Sequence, residues 1–147
     1  MGRQHVRSSM IESAVGADCQ AVVALWEVCG LIRPWNDPRR DFAQALSGPS
    51  STVLVARDGA TLVGSVMAGF DGHRGWAYYL AVAPDSRRQG LGRALMEAAE
   101  NWLRAQGAVK VQLMVRNGND AIGFYEALGL ERQDVVVLGR FLAPRST

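Results

Sequence analysis

The chain has 147 residues, 48% of them hydrophobic and 20% charged, and a net charge of +2 from 16 basic and 14 acidic side chains. That length suits one domain with room for a packed core. So small a charge argues against a nucleic-acid-binding surface, and the longest apolar runs, such as Ala21–Trp26, are too short to span a bilayer.

Residues 1–9, MGRQHVRSS, are polar and patternless; they are expected to form a mobile leader ahead of a single domain over 10–147, with Met10 a candidate start. Ile11–Ala14 reads as a short strand. A helix follows, with Asp18 in its first turn, where an acid suits the helix dipole. Val22, Leu25, Trp26 and Cys29 recur at helical spacing, and Gly30 can close the helix. Cys19 and Cys29 on one helix lie about 15 Å apart at 1.5 Å per residue, too far for a disulfide. They read as buried thiols in a reducing, cytoplasmic setting. RPWNDPRRDFAQALSG carries a second helix, with Asp37 as N-cap, Pro38 in the first helical position and Gly48-Pro49 at the end.

From residue 52 the period changes. STVLVA, TLVGSVMAGF and GWAYYLAV are strand-like runs separated by RDGA and DGHRG, both with the Asp-Gly turn signal, and predict an antiparallel three-strand meander. A helix over 90–106 follows, with a stripe of Leu91, Leu95, Ala98, Trp102 and Leu103, and Gly107 as its stop. VKVQLMV (109–115) predicts a strand, NDAIGFYEAL (119–128) a short helix ended by Gly129, and QDVVVLGRFL a final strand. The order β-α-α-β-β-β-α-β-α-β places the chain in the α/β class, with a mixed sheet and one locally parallel pair made by the crossover helix.

The stretch SRRQGLGRAL, Ser86–Leu95, sits between a strand and a helix start. A helix N-terminus leaves amides unpaired and carries partial positive charge, which favours phosphate. Gly90 and Gly92 keep side chains away from those amides, and Arg87, Arg88 and Arg93 add charge. The pattern therefore suits a diphosphate, although a tight turn with packing glycines and a solvated basic surface also fits. A dinucleotide fingerprint would need Gly where Leu95 stands, and an NTPase loop would need Gly-Lys-Ser/Thr.

YYLAVAPDSRRQGLGRALMEAAE resembles the GCN5-related N-acetyltransferase (GNAT) superfamily. Arg87, Arg88, Gln89, Gly90, Leu91 and Gly92 match the family's Arg/Gln-x-x-Gly-x-Gly/Ala, with Ala81, Val82 and Pro84 upstream as in the family's "AV-P". NDAIGFYEALGLE and the early IESAVGAD resemble two further motifs, and LIRPWNDP with GFDGHRGWAYYLAV resembles the YpeA-type bacterial branch. The resemblance implies acetyl-CoA as co-substrate. Its pyrophosphate would lie on the amides of Arg88–Arg93. Leu80, Ala81 and Val82 would lie on a bulged strand that splays from the strand at 109–115, with the pantetheine arm in the gap. A backbone N–H near Ala81 or Val82 would stabilise the oxyanion. Tyr125 would protonate the departing thiolate, though it also fits a core tyrosine. The family's Asn falls at Gly118, leaving Asn119 as the coenzyme contact, a residue that can equally cap the helix.

The implied reaction is direct attack of a neutral amine on the thioester in a ternary complex. Many relatives place Glu on the fourth strand where Trp76 stands here. Tyr78 and Tyr79 are expected on opposite faces, one lining the acceptor site and one in the core. His73 could serve as a base, since histidine is the side chain suited to proton transfer near neutral pH, but is also an ordinary turn residue; Glu27, Asp71 and Asp85 are unranked alternatives for a base. Trp35 and Asn36 lie in a polar loop where Trp35 could stack on substrate and Arg33 could bind a carboxylate; Trp35 packed beneath its loop fits too. The reading is an acetyl-CoA-dependent N-acetyltransferase of a small primary amine, acting as monomer or homodimer with no nucleic acid, membrane or metal partner. A ribosomal-protein-type N-terminal acetyltransferase and a non-catalytic acyl-CoA sensor are the alternatives.

Overall fold

The computed structural model describes residues 11–144; the expected leader over 1–9 and the candidate start at Met10 lie outside the described residues. The described chain divides into two compact units, one ending at Leu113 and one beginning at Met114.

The first unit is a five-stranded sheet with the order β1-β2-β3-β4-β5. Strands β2 (Ser51–Asp58), β3 (Thr61–Phe70) and β4 (Gly75–Val82) form the expected antiparallel meander, and β1 (Ile11–Ser13) pairs antiparallel with β2. Both Asp-Gly turns work through left-handed glycines, Gly59 at φ 63° and Gly72 at φ 92°. Helices α1 (Cys19–Val28) and α2 (Pro38–Ser47) cover one face. There Val22, Leu25, Trp26, Phe42 and Ala45 pack with Val53, Val55 and Ala81 of the strands. Gly30 ends α1 with paired bonds, its own N–H to Glu27 O and the Leu31 N–H to Trp26 O. Asp37 caps α2, its Oδ1 accepting the Arg39 and Arg40 N–H groups.

Helix α3 (Leu91–Gln106) covers the other face and stops at Gly107, φ 97°. Its buried stripe is Leu91, Leu95, Met96, Ala99 and Leu103; Ala98 and Trp102, expected in the stripe, are half-buried at its border. The helix lies close to the strands because Gly64 and Gly75 lack side chains. A Cβ at Gly64 would stand 2.8 Å from Leu95 Cδ1, and one at Gly75 would stand 2.9 Å from Leu103 Cδ1.

Two strands differ from expectation. β5 is only Val111–Gln112, in place of 109–115, and pairs in parallel with Gly75 and Trp76. β4 runs on to Val82 without a β5 partner, so the pair separates after a short ladder. In the second unit α4 (Ala121–Ala127) is followed by Gly129 at φ 93°. The strand expected over 133–142 is not formed among the described residues, and Val135, Val136, Val137 and Leu138 are exposed. A β-branched run carries propensity, but a strand exists only where a neighbour completes its ladder.

An ion cluster ties the N-terminal segment to the sheet. Asp18 closes a 3-10 turn before α1, and its Oδ2 accepts the Val15 N–H at 2.9 Å. Arg57 Nη2 donates to Asp18 Oδ2 at 2.8 Å, and Arg57 Nε donates to Glu12 Oε2 at 2.8 Å. Burial works against the Asp18 charge, but the Val15 N–H and the Arg57 guanidinium outweigh it and hold the carboxyl below its ordinary value. The folded-state value is the lower one. The stabilisation is therefore full above the unfolded value of 3.8 and is lost as pH falls through the folded one. Asp18→Asn is expected to cost about 2 kcal/mol at neutral pH in urea unfolding, with the deficit shrinking below pH 3.8; a deficit independent of pH would contradict the charge pairing.

Candidate active site

The turn between β4 and α3 is built from left-handed backbone. A 3-10 turn at Pro84–Ser86 leads to Arg88 at φ 66° and Gly90 at φ 78°, and α3 starts at Leu91 with no side chain capping it. A Cβ at Gly90 would meet nothing within 4 Å. Arg87, Arg88, Gln89, Gly90 and Arg93 are exposed and Gly92 is half-buried, whereas the Leu91 side chain is core. An open, uncapped helix start beside three arginines can hold an anion. Arg87 also ties the turn to the strand end, its Nε donating to Val82 O at 3.1 Å and its Nη2 lying 3.6 Å from Cys29 Sγ.

Upstream of that turn β4 is bulged. Tyr78 pairs with Met67 and Ala81 with Ser65, so Tyr79 and Leu80 stand opposite Val66 alone. Tyr79 takes φ 55°, a left-handed conformation unusual for a tyrosine. The extra residue cancels the alternation that was expected to send Tyr78 and Tyr79 to opposite faces. Both lie on the α1/α2 face: Tyr78 opposite Met67, and Tyr79 with its ring stacked on Trp26 at 3.8 Å and 7°.

Three groups hold the bulge. The Tyr79 hydroxyl donates to Asp41 Oδ2 at 2.8 Å. The Tyr79 carbonyl accepts from Ser65 Oγ at 3.3 Å. The buried Trp26 Nε1 donates to the same Ser65 Oγ at 2.9 Å. Burial and the adjoining Asp41 push the Tyr79 phenol well above its ordinary value. Asp41 and Ser65 were not singled out from the sequence; an acid in the first turn of a helix reads only as a partner for the dipole.

The remaining acceptor candidates divide by environment. Tyr78 is 42% exposed, and its ring is stacked with Trp76 at 6.3 Å. Asp71 is committed locally: Oδ1 accepts the His73 and Arg74 N–H groups and Oδ2 accepts the Trp76 indole. The Arg74 and His73 N–H groups and the Trp76 indole hold its carboxyl below the ordinary value, which makes Asp71 a weak base. His73 is exposed in that same turn. Arg33 Nη1 donates to Gly30 O and Ile32 O at the end of α1, and Arg33 O accepts the Asn36 N–H. Trp35 is 41% exposed.

In the second unit Asn119 Oδ1 accepts the Ala121 N–H at 2.7 Å, so its side chain covers the first amide of α4 from one residue before the cap position, Asp120. Gly118 sits at φ 81°, a conformation that glycine takes at little cost. Tyr125 is half-buried on α4, and burial raises its phenol above the ordinary value.

Comparison with known proteins points to one family. The profile described as the acetyltransferase (GNAT) family matches residues 18–130. An acetyltransferase of Yersinia pestis (strain Pestoides F) is 50% identical over 126 residues, which is 85% of this chain and 89% of that protein. Among solved structures, a predicted acetyltransferase from Clostridium acetobutylicum with acetyl-CoA superposes with TM-score 0.74 at 15% identity, covering 88% of this chain and 94% of that one. Glucosamine-6-phosphate N-acetyltransferase from Arabidopsis thaliana superposes with TM-score 0.69 at 16% identity, covering 90% and 97%.

The bulge network makes its own prediction. Ser65→Ala leaves the buried Trp26 N–H without its acceptor and is expected to cost about 2 kcal/mol in chemical unfolding. An unchanged midpoint would mean that the indole finds another partner.

Proposed function

The chain belongs to the acetyltransferase (GNAT) family, and from that premise we propose that it transfers the acetyl group of acetyl-CoA to a primary amine of a small molecule, by direct attack in a ternary complex. The observation that carries the coenzyme half is the open helix start at Gly90, with no capping side chain, a left-handed approach and exposed Arg87, Arg88 and Arg93. Those features fit a pyrophosphate. The amides from Arg88 to Arg93 would hold it, with Gln89, Leu91 and Gly92 contributing backbone only.

The acyl half rests on the β4 backbone. The Ala83 N–H bonds to Val63 O on β3. By strand alternation the Val82 N–H therefore points the opposite way, toward the edge that β5 leaves after Gln112. That amide, with Leu80 and Ala81 flanking it, is the donor assigned to the thioester carbonyl, where it would stabilise negative charge as the tetrahedral intermediate forms. The amine attacks the carbonyl carbon and the C–S bond breaks. Tyr125 is assigned the proton that the thiolate takes, and its raised phenol keeps that proton at neutral pH. Asn119 would contact the coenzyme through the amide group that its bond to Ala121 leaves over.

The acceptor side is assigned to the α1/α2 face of the sheet and the loop before α2. The exposed Tyr78 supplies an aromatic wall, with Arg33, Trp35 and Asn36 from the loop and His73 from the β3–β4 turn. The amine loses a proton on attack, and with Asp71 a weak base, water takes it.

Calorimetric titration tests the coenzyme placement. Gly90→Glu puts a carboxylate and a strained side chain where the diphosphate would lie, and acetyl-CoA binding is expected to vanish; normal affinity would sink the placement. Tyr125→Phe is expected to spare that binding and to lower turnover by roughly 10²–10⁴-fold; unchanged turnover would return Tyr125 to the core.

A further inference from the structure

We propose that Asp41 is a positioning residue for acyl transfer: from the first turn of α2 it fixes the β4 bulge and so the direction of the β4 amides that follow it. The inference rests on the coenzyme reading above and adds to it a residue outside both the coenzyme turn and β4.

A non-glycine residue held at positive φ costs on the order of 1–3 kcal/mol and persists only where its surroundings over-determine it. Tyr79 is held along three directions: by Trp26 on its ring face, by Ser65 on its carbonyl and by Asp41 on its hydroxyl. Trp26 and Ser65 are buried, bonded to one another and part of the core. Asp41 is half-buried and reaches the bulge from a separate helix. Its carboxylate is the contact that sets where the far end of the Tyr79 ring sits. Leu80 shares Val66 with Tyr79 while Ala81 and Val82 rejoin β3 opposite Ser65 and Gly64, and among the described residues β4 has no β5 partner beyond Trp76. The Leu80 peptide is therefore set by Tyr79, and the extra residue at the bulge sets the register in which Ala81 and Val82 rejoin the β3 ladder and so the edge their amides face.

Asp41 is also one helical turn from the acceptor loop. Its N–H bonds to the carbonyl of Asp37, the cap that ends the Arg33–Asn36 segment. The first turn of α2 therefore carries both the end of that loop and the carboxylate that holds Tyr79. The two halves of the proposed site are thereby joined through Asp37, Asp41 and Tyr79.

The test separates the acetyl group from the rest of the coenzyme. The full chain is titrated calorimetrically with acetyl-CoA and with CoA, as wild type, Asp41→Ala, Asp41→Asn and Tyr79→Phe. Loss of one well-aimed hydrogen bond at the carbonyl is expected to weaken acetyl-CoA about tenfold in Asp41→Ala and Tyr79→Phe, and CoA by less than about twofold. In Asp41→Asn the amide oxygen still accepts the phenol proton, and acetyl-CoA affinity is expected to return to within about threefold of wild type. Equal weakening of both ligands, or of neither, in Asp41→Ala would overturn the proposal. So would Asp41→Asn behaving like Asp41→Ala. A wild-type chain that binds neither ligand would overturn the coenzyme reading first and this inference with it, before any substitution is considered.

Discussion

A tyrosine held in a left-handed conformation in the middle of a strand organises this molecule. Tyr79 at φ 55° inserts one residue into β4 against β3 and puts two successive tyrosines on one face of the sheet. Its cost is met by a stacked indole, a serine hydroxyl and a carboxylate that belong to three other elements. Remove the bulge and Tyr79 would turn toward α3, Trp26 would lose its stacking partner, and the amides at the end of β4 would revert to regular register. The constraint thus links the packing of α1 and α2 on the sheet to the backbone that ends at the glycine turn.

The second left-handed segment follows within the same connection. Arg88 and Gly90 both take positive φ, and α3 begins at once without a side-chain cap. The helix itself is set down tightly, since Gly64 and Gly75 leave only enough room for Leu95 and Leu103. A firmly seated helix with an open start presents fixed amides, which suits a charged ligand better than a mobile loop does. The early divergence of β4 from β5 completes the arrangement, because among the described residues the end of β4 has no β5 ladder just before that turn. Backbone, rather than charged side chains, accounts for most of the proposed chemistry, which is consistent with a net charge of only +2.

Much of this was legible in the residues. Asp-Gly pairs marked both hairpins, Asp37-Pro38 marked the start of α2 and Gly107 the end of α3, each because a local backbone conformation demands that residue type. The glycine-arginine turn carried both the phosphate reading and the family resemblance. The resemblance implied a bulge over Leu80–Val82, but its pivot was not legible: Tyr79 looks like any strand aromatic, and no glycine or asparagine announces its positive φ. Its partners Asp41 and, through Ser65, Trp26 are 38 and 39 positions away in their respective bonds, beyond the reach of local pattern. The run at 133–142 shows the opposite failure. Its valines carry strand propensity, but propensity does not supply a partner, and no ladder forms among the described residues.

The central claim is transfer of acetyl from coenzyme to a small amine, and thiol release from acetyl-CoA in the presence of a panel of amines, amino acids, polyamines and N-terminal peptides tests it most directly. The account predicts release that depends on a small primary amine and rises with its unprotonated fraction. Release driven only by peptides would contradict the acceptor class, and acetyl-CoA that binds but releases no thiol with any amine would contradict catalysis itself.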